Sequence, residues 1–136
     1  MYEEVRIEDT KAWFRRACID QRAAKHDLIA DPPLLEDAAF HCQQAAEKIM
    51  KTFLCWHDHP FRKTHSLEEL GEQCLGIDPD LKRHVDPVVP ITEYAWKFRY
   101  PGELEELTTE NIKDFLEIVQ HLFEAVLKRI PEEVQA

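Results

Sequence analysis

The sequence DAAFHCQQAAEKIMKTFLCWHDHPFRKTHSLEEL, residues 37–70, decides the fold. At about 100° per residue, Leu35, Ala38, Ala39, Cys42, Ala45, Ala46, Ile49, Met50, Phe53 and Trp56 share one apolar arc. His41, Gln44, Glu47, Lys48 and Lys51 fall opposite, which predicts an amphipathic helix over residues 34–57 with a polar outer face. Pro60 breaks the chain after it, and Ser66-Leu67-Glu68-Glu69 carries the Ser-x-x-Glu pattern that opens a helix at Leu67. This third helix fades near Leu75-Gly76.

Working outward, helical periodicity persists on both sides. A first helix is predicted from about residue 9 or 10 to 29, with Trp13, Ala17, Ala24 and Leu28 inward; Asp31-Pro32-Pro33 ends it. Asp78-Pro79 provides an N-cap with Pro at the first helical position, Pro87 interrupts that short helix, and a further one runs through Trp96-Lys97. Arg99-Tyr100-Pro101-Gly102 reads as an exposed turn. In the last helix, capped by Thr108 or Thr109, residues Ile112, Phe115, Val119, Leu122, Phe123, Val126 and Ile130 recur at helical spacing. Pro131 and a short acidic tail follow. The expected architecture is all-α: an up-down helical bundle of four to five helices in a single domain over 1–136, with its core over about 9–130.

Composition narrows the function. With 136 residues, 44% of them hydrophobic, the chain is long enough for one buried core. No apolar run reaches the roughly 20 residues that span a bilayer, and the N-terminus lacks an apolar signal core, so the expectation is a cytoplasmic protein without membrane contact. Cys18, Cys42, Cys55 and Cys74 are then expected as free thiols. The formal charge of −10 opposes non-specific nucleic-acid binding, which requires cations against phosphates; only small basic clusters such as Arg62-Lys63 and Lys82-Arg83 could face one.

Motifs for chemistry are sparse. Cys55-Trp56-His57-Asp58-His59 groups donor residues without the paired spacing of structural zinc sites, so no metal and no cofactor is expected. Three glycines cannot build a phosphate loop, and Ser66 is accounted for as a helix cap. What remains is His41, Gln44 and Lys48, at i, i+3 and i+7 within about 60° on the wheel, able to face one ligand. Imidazole, carboxamide and ammonium suit a phosphate together with a base or sugar edge. Spacing alone favours an ordinary solvated helix face, with Glu47-Lys51 a simple i,i+4 pair.

These residues resemble the HEPN family of small helical domains. Trp13, Ala17, Asp20 and Ala24 are similar to its first helix. Residues 39–48, AFHCQQAAEK, resemble its second-helix signature; Thr64-His65-Ser66-Leu67 resembles its third-helix start, and Arg99-Tyr100-Pro101 the element before its last helix. The resemblance implies a homodimer that binds a nucleotide or RNA and pairs with a minimal nucleotidyltransferase in a toxin–antitoxin-like system. His41, Gln44, Lys48, His65 and Arg99 would line the site, and no residue is assigned to catalysis. The alternative it implies is a metal-independent ribonuclease toxin bearing Arg-x₄₋₆-His. No arginine here has a histidine at that spacing, Arg22 and His26 being one residue too close, so a non-enzymatic binding module is the preferred reading. A diverged ribonuclease site built from Arg99 and His41 or His65 stays open.

Overall fold

The computed structural model describes residues 3–97 and 107–135, all of whose regular structure is helical. Helix α1 spans Glu3–Ile29, α2 Leu35–Trp56, α3 Leu67–Ile77, the single-turn α4 Lys82–Val85, α5 Val89–Lys97 and α6 Thr109–Leu127. Two 3₁₀ turns, Pro79–Leu81 and Glu132–Val134, complete the order. The all-α bundle is as expected. No helix among the described residues is long and apolar enough to cross a membrane.

Helix α1 begins two turns earlier than the periodicity suggests. Glu3 and Glu4 occupy its first turn, where carboxylates favour the positive end of the helix dipole. The Arg6 guanidinium lies over the Trp56 ring, 4.6 Å from its centroid, and so fastens the start of α1 to the end of α2. At the opposite end the Leu34 amide donates to the Asp27 carbonyl at 2.9 Å. The two helices therefore lie antiparallel, and Ala17, Ala24, Ala38, Ala39, Ala45 and Ala46, all fully buried, let them approach closely.

Helix α2 is the centre of the bundle. It packs against α1, α3, α5 and α6, and Ile49, Met50, Phe53 and Leu54 are wholly enclosed. Its C-terminus closes in a Schellman motif: the His59 amide donates to the Leu54 carbonyl and the Asp58 amide to that of Cys55. Asp58 takes the left-handed conformation this requires, at φ 51°. At α3, Ser66 Oγ accepts from the Glu69 amide at 3.1 Å, the expected cap. Thr108 caps α6 in a reciprocal box with Asn111. The C-terminal segment differs from a free acidic tail: Val134 is fully buried, the turn around it touches α1, and Gln135 Nε2 donates to the Leu127 and Ile130 carbonyls.

Candidate functional site

The polar stripe of α2 is not the solvated face its residue types suggest. A helix wheel assigns a polar side chain to water only when one side of the helix is uncovered, and α2 is flanked by four neighbours. Glu47 is 2% exposed, Lys51 5% and Gln43 6%. The Glu47–Lys51 pair, expected as an ordinary surface ion pair, is a buried one: Lys51 Nζ donates to Glu47 Oε2 at 3.1 Å. The ammonium also sits 5.0 Å from the Trp13 ring centroid and 5.8 Å from that of Phe61, two rings packed edge to face. Such a desolvated charge is tolerated because carboxylate and π faces replace water.

Glu47 holds a second partner. Its Oε1 lies 2.9 Å from Nδ1 of His65, in the segment leading into α3. The His65 side chain is 75% exposed while the carboxylate that holds it is buried. A rigid acceptor thus fixes one ring nitrogen and leaves Nε2 for another contact. His65 and the first turn of α3 (Ser66, Leu67, Glu68) line a cavity of about 740 Å³ with Phe40, Gln43 and Gln44 of α2 and Val89, Pro90, Thr92 and Glu93 of α5. Its lining joins apolar side chains to two carboxamides, one imidazole, two hydroxyls and two carboxylates.

His41 and Lys48 face elsewhere. Both reach Asp20 on α1, a residue only 6% exposed: Lys48 Nζ donates to Oδ2 at 2.5 Å, and His41 Nδ1 lies 2.8 Å from Oδ1. One buried carboxylate therefore ties together two residues of the predicted site, across α1 and α2. Gln44 and His65 meet at the cavity, away from that pair. Arg99 lies outside the described residues. Sequence reasoning overlooked Glu47 as the anchor of His65 and Asp20 as the anchor of His41 and Lys48. A signal for Asp20 existed: it stands three residues after Ala17 and four before Ala24, on the inward face of α1.

Two further clusters of potential ligands lie away from that cavity. In the Cys55–His59 segment, Cys55 is buried, its thiol raised mainly by burial. The His57 ring packs on Phe53 at 4.5 Å, and burial, then the nearby Arg6 charge, holds its pKa below the ordinary histidine value. All four cysteines are free, as expected. At the junction of α1 and α2, Asp27, Asp37 and His41 bring donor atoms within 4.8 Å of one another. Burial, and then the adjacent Asp37 carboxyl, raises the Asp27 carboxyl to about 6.

An antiparallel helix pair wrapped by further helices, with charged side chains gathered along the central rod, defines the class as a small all-α bundle domain. The HEPN domain profile matches residues 10–130, and the chain belongs to the HEPN family. No curated protein and no solved structure matched the chain.

Proposed function

We propose that this chain is a nucleotide-binding interaction module whose ligand occupies the cavity between α2, α3 and α5. The observation that carries this reading is the composition of that cavity. Phe40, Leu67, Val89 and Pro90 offer flat apolar surface to a base, and the Gln43 and Gln44 carboxamides can read its edge. The first turn of α3 brings the positive end of a helix dipole to the wall, and His65 presents its Nε2 beside it. No lysine or arginine is among the described lining residues, while Glu68 and Glu93 are. Base and sugar recognition is therefore favoured over a phosphate clamp, and Arg99 is retained for the phosphate on its family motif alone. His41 and Lys48 contribute indirectly, by fixing α2 against α1 through Asp20.

Isothermal titration with a panel of nucleotides tests this. Binding weakened at least tenfold by Gln44→Ala and by His65→Ala is expected; equal affinity in both variants removes the cavity as the site. On the family's pattern the chain works as a homodimer and pairs with a minimal nucleotidyltransferase in a toxin–antitoxin-like system. A measured solution mass and the neighbouring open reading frame check these two points.

The buried Glu47 behind His65 favours a second reading, a ribonuclease in which His65 moves the proton. RNA cleavage in the presence of chelator, lost in His65→Ala, is its expected signature. A protein inert on mixed RNA discards it.

A further inference from the structure

We propose that Asp27, Asp37 and His41 form a binding site for a divalent first-row transition ion of the zinc type, at the junction of α1 and α2. This inference is independent of the nucleotide reading, since none of the three residues lines the cavity.

Four observations carry it. The three side chains come from the last turn of α1 and the first two turns of α2, and their donor atoms converge within 4.8 Å of one another. Asp27 Oδ2 is shut off from solvent and has the Asp37 carboxyl beside it, so the pair must share either a proton or a cation. The third concerns the imidazole. His41 Nδ1 is engaged by Asp20 at 2.8 Å, which fixes the ring and leaves Nε2 on the side of Asp37. A carboxylate behind the distal nitrogen is the usual support of a metal-binding histidine. Finally, Nε2 stands 3.4 Å from Asp37 Oδ2, too long for a good hydrogen bond. Ligands about 2.1 Å from a tetrahedral ion lie about 3.4 Å apart, so this spacing is that of one edge of a coordination shell.

Charge bookkeeping agrees. Asp20 is neutralised by Lys48, which leaves Asp27 and Asp37 as two carboxylates facing each other, the charge a divalent ion cancels. The donor set of one imidazole nitrogen and two carboxylates suits zinc, cobalt or manganese better than magnesium or calcium, which take oxygen ligands.

The test uses the full chain stripped of metal by chelator, titrated calorimetrically with zinc chloride and followed by cobalt absorption. One equivalent of zinc is expected, with affinity reduced at least tenfold in Asp27→Asn and in His41→Gln and unchanged in Asp114→Asn. Asp27→Asn replaces one of two repelling carboxyls with a neutral isostere, so it keeps the experiment decisive if His41→Gln fails to fold. Absence of stoichiometric zinc binding overturns the proposal. So does equal affinity in Asp27→Asn, which would move the ion to the Cys55–His59 segment or elsewhere.

Discussion

Glu47 shows how much one side chain can be asked to do. It is buried, it neutralises Lys51, and it anchors His65. Removing it strands a buried ammonium, so Glu47→Ala should cost about 3–5 kcal/mol in chemical denaturation. Replacing both members of the pair, Glu47→Leu with Lys51→Met, should restore most of that loss, because similar volume without charge avoids the desolvation penalty. A double variant as unstable as the single one would show that the charges are not the cause. The cysteines give a second residue-scale expectation. Burial pushes the Cys42 and Cys74 thiols up to about 12, and little thiolate forms at neutral pH. A thiol reagent on the native protein should therefore modify the half-buried Cys18 first, leaving Cys42 and Cys74 until unfolding; mass spectrometry of the partly labelled chain reads the order.

Between elements, two backbone positions set tolerances. A Cβ on Gly71 would stand 2.7 Å from Val85 Cγ1, a stiff side chain that is itself buried. The helix-propensity gain of alanine, about 1 kcal/mol, is smaller than the typical overpacking cost of about 1–3 kcal/mol. Gly71→Ala should thus lower the melting temperature, by separating α3 from α4. Asp58 presents the reverse case. Its left-handed conformation is one that glycine adopts freely, so Asp58→Gly should keep the closure of α2 intact, with a change within about 1 kcal/mol in denaturant titration. The elements themselves were largely legible in the sequence. The Ser66 cap, the Thr108 cap and the apolar spacing of α2 and α6 are local signals, and each is found where expected. The early start of α1 was not, because Arg6 over Trp56 joins residues 50 positions apart.

Across the whole molecule, what escaped sequence reading was coverage. Residue type marked Glu47 and Lys51 as outward-facing; four packed neighbours turned them inward. For the same reason the site residues are apportioned between the Asp20 anchor and the α2–α3–α5 cavity, a division that no wheel contains. Long-range ties also govern acid stability. Arg129 Nε donates to Asp78 Oδ2 at 2.6 Å, joining the end of α6 to the α3 terminus and holding the Asp78 carboxyl below its ordinary 3.8. A depressed folded value means that this stabilisation is complete above the ordinary value and is lost as pH falls through the folded one. Asp78→Asn should therefore flatten the acid limb of the stability curve below pH 3.8, with an effect at neutral pH within about 1 kcal/mol, since solvent screens the pair. An acid limb identical to that of the parent chain would show that the pair is not coupled to folding. The enclosure of α2 carries one more consequence, in hydrogen exchange. The amide protons of its enclosed middle, from Ala45 to Leu54, can reach deuterium only when the bundle opens, so they should exchange last and at a common rate. The single turn of α4, held by few partners, should exchange long before them.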